Sequence, residues 1–472
     1  MTELTDIDGA STAAAPGADP TRGRGPWPTF VVCAVVSYIA TLDMSIVNVA
    51  FAEIARTFPD ASRGIISWVV TAYSILFGSL LVVAGGSADR FGRKRTMTWG
   101  TAIFLAGSFV CAVSPGLGLL IVGRAIQGAG GALLVPSSLG LLLGAFPAER
   151  RSQVIAWTGA VGALGVASGP TLGALCVSAF GWRSAFWINV PICIGVLIAA
   201  RSLRESERQV GVRPDVAAAV VVTLGVASMV WAISRAESLG WQDASVLGLL
   251  AVSAVFLAAL WWRSTSHPAP LLPPALFRER SFSAANVASF VFGAGFSANI
   301  LNNVLFLRTI WGFGVVKAGL FSALAPIVVA ATSVVTGRVM RRSGFRSLLV
   351  VAPICFAVVA LVQSWVLDVG PAPWSRWLPL MFVLGITIGS TFPALSAASV
   401  QRLEQRHFAL GGAINNTFRQ VGAAVGVALV VTVQASADGI DGYRAGWVLV
   451  AVCGVIAASV SLAQPRSFEV AS

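Results

Sequence analysis

Charge is scarce in this chain. Only 11% of its 472 residues are charged while 56% are hydrophobic, and the mean hydropathy is +0.81. Water-soluble domains carry about 25% charged residues, so a soluble globular fold is excluded and an integral membrane protein is expected. Histidine is nearly missing: His267 and His407 are the only two, poor material for a histidine-based metal site. The six cysteines (Cys33, Cys111, Cys176, Cys193, Cys355 and Cys453) stand singly inside apolar runs. They have neither metal-ligand spacing nor a disulfide framework, and read as small packing residues. Lysine is limited to Lys94 and Lys317, an arginine bias that hints at a GC-rich bacterial genome. The segment up to about Gly25 has no apolar core of the kind a signal peptide needs, and is expected to be a disordered tail.

What the chain does have is apolar runs of about 20 residues, the length a helix needs to cross a bilayer; strands of a barrel would alternate over about 10. Starting with 28–51 and ending with 444–463, about fourteen such runs follow one another. An even number puts both termini on one side. Of the 32 basic residues, 22 fall in loops on that side and eight on the other, with Arg124 and Arg419 inside runs. A bias near three to one predicts that both termini are cytoplasmic. The net charge of +12 is then explained by loops facing anionic lipid, and no nucleic-acid partner is expected.

Between the second and third runs lies GGSADRFGRKR, residues 85–95, with the skeleton Gly85-x-x-x-Asp89-Arg90-x-Gly92-Arg93. It reads as a tight basic loop whose glycines allow a sharp turn. Gly337-x-x-x-Arg341-Arg342-x-Gly344 repeats the spacing in the second half, without the acid. The loop resembles the signature between helices 2 and 3 of the major facilitator superfamily of secondary transporters. The resemblance implies an all-α membrane protein of two related six-helix halves with the substrate path between them. The surplus runs at 215–235 and 245–262 resemble the insertion of the fourteen-helix drug:proton antiporter branch. The expected organisation is a tail over 1–27, an N-terminal half over 28–204, and two linking helices within 205–264. A C-terminal half over 265–465 and a short tail over 466–472 complete it.

Asp43 is the one acid placed deep in a run, within SYIATLDMSIVNVAFAEI. A buried carboxylate costs about 2.5–3.5 kcal/mol on the mild insertion scale, so it marks a proton or cation site by default; a structural hydrogen bond is the alternative. The stretch also resembles the branch's first-helix signature. Arg124 and Gln127, three apart in GRAIQG, share a helix face, and an arginine in such surroundings needs a carboxylate or a water-filled cavity. That stretch resembles the fourth-helix motif linked to proton coupling, so Asp43 and Arg124 are the coupling candidates. In the fifth run, Gly165-x-x-x-Gly169-Pro170-x-x-Gly173 offers a small-residue packing face and a proline kink. It resembles the antiporter signature of exporters, with Ala174 where a glycine is frequent. Gly181 to Pro191, GWRSAFWINVP, resembles another branch pattern and reads as interfacial anchoring by Trp182 and Trp187.

The substrate-cavity candidates are Asn48, Trp68, Tyr73, Gln127, Asn299, Asn302, Asn303, Asn415 and Arg419. Trp68 and Tyr73 could stack on cargo or anchor at the interface. Arg419, in a stretch resembling the penultimate-helix motif, could pair with loop carboxylates such as Glu404 or face the cavity. Arg308 and Lys317 are expected to snorkel at the outer surface; pointing inward, they would favour neutral or anionic cargo. Gly85, Asp89, Arg90, Gly92 and Arg93 would form the gating loop. Taken together, the resemblance implies a monomeric exporter of a hydrophobic small molecule in the bacterial plasma membrane, exchanging cargo for protons. It would need no cofactor beyond the proton gradient. Export of an endogenous antibiotic, lipid or siderophore is the rival within the same fold. An enzyme would need a nucleophile with its base or an acid–base pair, and no such constellation is visible.

Overall fold

The computed structural model describes residues 26–205, 215–267, 270–343, 346–403 and 408–464, and among them there is no strand. The helices are α1 Trp27–Thr57, α2 Arg63–Phe91, α3 Arg93–Val113, α4 Leu117–Ala145, α5 Ala148–Phe180, α6 Ser184–Trp187 and α7 Asn189–Ala200. The linking pair is α8 Val216–Leu239 and α9 Ala244–Ser266. Then come α10 Pro274–Phe277, α11 Arg280–Thr309, α12 Val315–Ser322, α13 Leu324–Ser343, α14 Arg346–Val366, α15 Leu378–Val400, α16 Phe408–Ala435 and α17 Ile440–Ser461. A π-helical turn, Pro373–Trp377, leads into α15.

Twelve helices among the described residues are long and apolar enough to cross a membrane, against the fourteen expected. The other two expected runs correspond to shorter apolar helices, Leu164–Phe180 within α5 and Ser184–Ala200, which is α6 and α7 joined at Ile188. The tenth expected run, 318–338, is likewise divided at Ala323, between α12 and α13.

The bundle has two ends. At the near end, Trp27 stacks on Trp157 and meets Phe146 edge-on, while Gln464 bonds Ser281 at the start of α11. At the far end, Trp182 Nε1 donates to Thr57 and Trp377 Nε1 to the Phe321 carbonyl. The first seven helices meet the last eight through α2 against α16, α5 against α12 and α13, and α1 against α11. The α8–α9 pair covers this seam: Ala219, Val222 and Val226 of α8 pack with Ile75 of α2 and Ala424, Val425 and Ala428 of α16. Its near end is tied by Asp215, which accepts from Arg263 at 2.9 Å and caps α8 through the Ala218 amide.

Glycines decide how close helices come. A side chain at Gly165 would strike Thr41 and the Tyr38 carbonyl, one at Gly169 would strike Ser45, and one at Gly173 would strike Ile46. Their four-residue spacing puts all three on one face of α5, against α1. Pro170 lies inside α5 and is buried. Lacking an N–H, it frees the carbonyl four residues earlier, and Ser45 Oγ of α1 donates to that carbonyl, Val166, at 3.0 Å. Pro393 in α15 frees Gly389 in the same way, and Ser333 and Thr336 of α13 donate to it at 3.2 and 3.3 Å. In an apolar medium such a carbonyl has to be satisfied by a neighbouring helix.

The segment 85–95 is not a loop. Gly85 to Phe91 continue α2 and Arg93 opens α3, so Gly92 (φ +99°) is the single turn residue. Gly85 sits in open space and is not needed for the turn. Glu205, just after α7, spans the start of α3: its carboxylate accepts from the amides of Lys94 at 2.9 Å and Arg95 at 3.1 Å. That carboxylate satisfies two of the amides a helix N-terminus leaves open. A Cβ on Gly92 would strike it.

Candidate functional site

Asp43 lies near the middle of α1 with no solvent exposure, in a cluster that α2, α3, α4 and α7 complete. Arg124 Nη1 of α4 donates to its Oδ2 at 2.6 Å. Its Oδ1 accepts from Asn189 Nδ2 of α7 at 2.8 Å and from Gln127 Nε2 of α4 at 3.1 Å. Arg124 is held in turn: its Nε donates to the Val69 carbonyl of α2 at 2.8 Å and its Nη1 to Gln127 Oε1 at 2.8 Å. The Tyr73 ring sits 4.5 Å from the guanidinium carbon and stacks on Phe77. Ser108 of α3 accepts from Gln127 at 2.7 Å and from Asn189 at 3.4 Å.

The local sequence builds this cluster. Arg124 and Gln127 project from one face of α4 because they are three residues apart. Gly123 and Gly107 let α3 and α4 approach until a Cβ on either would collide with the other helix, and Gly128 does the same against Tyr73. Three donors, one of them a guanidinium, thus converge on one carboxylate. The Tyr73 hydroxyl and Asn189 Oδ1 are buried without a partner in the described arrangement, which leaves donor and acceptor capacity to spare.

Asp43, Arg124, Gln127 and Tyr73 thus come together. Ser108 and Asn189 belong with them and escaped the sequence reading. Asn189 stands in GWRSAFWINVP, to which only anchoring was assigned; an asparagine in an apolar helix was the signal available. Trp187 is exposed, whereas Trp182 is buried beneath Phe58 and Phe186 rather than anchored at a surface.

The other cavity candidates separate. Asn299, Asn303, Gln363 of α14 and Trp447 of α17 form a second buried cluster: Asn303 Nδ2 donates to Asn299 at 2.9 Å, and its Oδ1 accepts from Trp447 at 2.8 Å. Gln363 Nε2 donates to Asn303 at 3.3 Å. It joins α11, α14 and α17 as the Asp43 cluster joins α1, α3 and α7, but without a charge. Asn302 turns away to the Tyr443 carbonyl and Gln434. Asn415 bridges α16 to Ser289 and Asn286 of α11. Asn48 donates to Met44 of its own helix. Trp68 meets Trp231 of α8 edge-on, 5.9 Å away, so it packs on the linking pair and not in the Asp43 cluster. Arg419 is half-buried, donates to Asn416 and lies 5.2 Å from the Phe392 ring centre.

Of the gating residues, Arg93 Nη1 donates to the Gly140 carbonyl of α4 at 2.8 Å, and Arg90 lies over Phe91. The side chains of Asp89, Arg341 and Arg342, and Glu404 altogether, lie outside the described residues. Arg308 does not snorkel: it is buried, and its Nη2 donates to Glu53 of α1 at 3.0 Å. Lys317 does lie over a ring, that of Phe313, 4.0 Å away. Among the described residues no group of three His, Cys, Asp or Glu could hold a metal.

Residues 33–427 match the Major Facilitator Superfamily. The methylenomycin A resistance protein of Bacillus subtilis (strain 168) is 32% identical over 400 residues, 84% of this chain and 85% of that one. Its namesake from Streptomyces coelicolor is 32% identical over 436 residues, 91% and 90% of the two chains. The tetracenomycin C resistance and export protein of Streptomyces glaucescens is 30% identical over 422 residues, 89% and 77%. Among solved structures, a peptide transporter POT in complex with sulfate superposes with a TM-score of 0.68 over 93% of this chain and 94% of that one; at 14% identity it speaks for the fold alone. With this arrangement of helices and a match over most of its length, the chain belongs to the Major Facilitator Superfamily, and it is a multi-pass membrane transporter rather than an enzyme.

Proposed function

We propose that this protein is a proton-coupled antiporter that exports hydrophobic antibiotics or drugs across the bacterial plasma membrane by alternating access. The observation that carries the reading is the Asp43–Arg124 pair, 2.6 Å apart and out of contact with solvent. A solvent-free carboxylate whose counter-ion is an arginine on another helix can change protonation and helix packing together. Protonation releases Arg124 from its ion pair while leaving it bonded to Val69 and Gln127. Cargo and proton need not share atoms; each need only bias the same two-state equilibrium. The relatives named for resistance to methylenomycin A and for export of tetracenomycin C support antibiotics as cargo and export as direction. The Gly165–Gly173 face of α5 agrees with that direction. In this reading both termini are cytoplasmic, the near end faces the cytoplasm, the monomer is the working unit, and the two linking helices complete fourteen crossings.

The test uses inverted membrane vesicles energised by respiration, a pH-reporting dye and a panel of antibiotics. Cargo-induced proton release by the wild type, absent from Asp43→Asn, is the expected result. Release that survives in Asp43→Asn would move the coupling site elsewhere.

A further inference from the structure

We infer that the transported cargo carries a carboxylate or another single negative charge, and that Arg419 of α16 receives it. The inference rests on the exporter reading and adds the chemical class of the cargo.

Charges set away from helix ends are few. Asp43 and Arg124 neutralise each other. Arg419 lies about 16 Å along α16 from Phe408, at 1.5 Å per residue, and forms no ion pair among the described residues. Its contacts are Asn416 Oδ1 and the face of Phe392. Among the described residues, the interior therefore keeps one positive charge that no carboxylate balances. An arginine at such depth is expensive, and faces a water-filled cavity or the bundle interior rather than lipid.

The surroundings of Arg419 are those of a binding wall. Its main chain presses on Gly293 of α11, where any Cβ would collide with the Arg419 carbonyl, so α16 is pinned at this level. Two residues before it, Thr417 Oγ1 donates to the Gly78 carbonyl of α2 at 2.8 Å, which fixes Arg419 beside the seam between the two halves. Phe392 of α15 meets Phe296 of α11 edge-on, 5.1 Å between ring centres. Arg419, Asn416, Phe392 and Phe296 are all half-buried, unlike the packed residues behind them. The guanidinium has five N–H donors, and the bond it donates to Asn416 leaves most of them for a ligand. A carboxylate takes two of them in parallel, while Phe392 and Phe296 receive the apolar body. A cationic drug would meet the same charge as repulsion.

The test is equilibrium binding to the purified full-length transporter in detergent, read by tryptophan fluorescence. The ligands are matched triplets on one apolar skeleton: 1-naphthaleneacetic acid, its methyl ester, and 1-naphthalenemethylamine, with the corresponding biphenyl set. A charge-assisted hydrogen bond contributes about 1.5–3 kcal/mol, so each acid is expected to bind at least about 10-fold more tightly than its ester and amine. Arg419→Gln should abolish that preference, and Arg419→Lys should keep part of it. Phe392→Leu should weaken acid and ester alike. Esters or amines that bind as well as acids, a preference that persists in a folded Arg419→Gln, or no binding of either set would overturn the inference. Binding in detergent needs no proton gradient, so Asp43→Asn should keep the acid preference. Its loss of coupled transport is a separate result. If wild-type protein prefers acids but exchanges no protons, antiport fails and the anion site stands.

Discussion

Glu53 and Arg308 join the far ends of α1 and α11 through a 3.0 Å ion pair. They come from opposite sides of the linking helices, 255 residues apart in sequence. The pair stands beside a cavity of about 440 Å³ lined by Phe51, Ala52, Arg56, Ile66, Leu305 and Arg308 among others. A latch between the two halves at one end is what alternating access requires to be broken in each cycle. Glu53 is about a third exposed, so the pair is worth about 0.5–1 kcal/mol after screening. Glu53→Gln should therefore raise the population opened at the far end about two- to fivefold. The measure is the alkylation rate of a cysteine placed at Ala52, in a background whose native cysteines are replaced. An unchanged rate would deny the pair any gating role.

The Asp43–Arg124 pair should behave as a coupled unit. Arg124→Gln leaves a buried carboxylate without its counter-ion, and breaking a buried pair on one side costs about 3–5 kcal/mol. Asp43→Asn with Arg124→Gln removes both charges and should be more stable than Arg124→Gln alone. Apparent melting temperatures of the three variants in detergent check this; additive losses would mean that the two residues do not share one network.

Ser45 and Pro170 should be non-additive too. Ser45→Ala strips the donor from the Val166 carbonyl, and an orphaned buried acceptor costs about 1–3 kcal/mol. Pro170→Ala restores an N–H to α5, which can then bond Val166 within its own helix. The double variant should thus melt above Ser45→Ala without recovering transport activity, because the kink is lost. Measuring both quantities separates the packing of α5 on α1 from export itself.

Asn189 offers a check on the cluster from a residue with no charge of its own. Asn189→Leu removes one of three donors to Asp43 and should shift the pH profile of exchange without abolishing it, whereas Asp43→Asn abolishes exchange. Exchange with an unaltered pH profile would reduce Asn189 to a packing residue.

At the surface, Asp243 caps α9, and the Ser245 hydroxyl and amide hold its carboxyl below the ordinary value of 3.8. A group whose folded value is depressed stabilises above its unfolded value and loses that contribution as pH falls through the folded one. The start of α9 should stay protected at neutral pH and fray only in acid below about pH 4. Hydrogen exchange at the Val246 and Leu247 amides, compared between wild type and Asp243→Ala, reports it.

The membrane character, the family and the weight of Asp43 and Arg124 were legible in the sequence, because lipid allows few charges and each one stands out. Composition and run length act locally, so they survive without knowledge of the fold. Partners do not. Asn189 lies 146 residues from Asp43 and Ser108 lies 81 from Asn189, and nothing local distinguishes them from other polar residues in apolar helices. Trp68 reads as an interface anchor or a cargo platform, and nothing local tells that it packs on Trp231 of α8. The basic stretch 85–95 read as a loop because charge and glycine suggest one, yet a single positive-φ residue turns the chain.

By itself the sequence determined that this chain crosses a membrane many times as helices, that one carboxylate and two arginines sit inside apolar runs, and that α5 carries a narrow small-residue face. Those follow from hydropathy, from the cost of buried charge and from the period of the helix. Only the tertiary structure decided that Asp43 and Arg124 meet, that Ser45 takes up the carbonyl freed by Pro170, that Arg308 pairs with Glu53, and that Arg419 has no acid beside it among the described residues. Each of these depends on which faces of distant helices are brought within about 3 Å, the range over which a hydrogen bond forms.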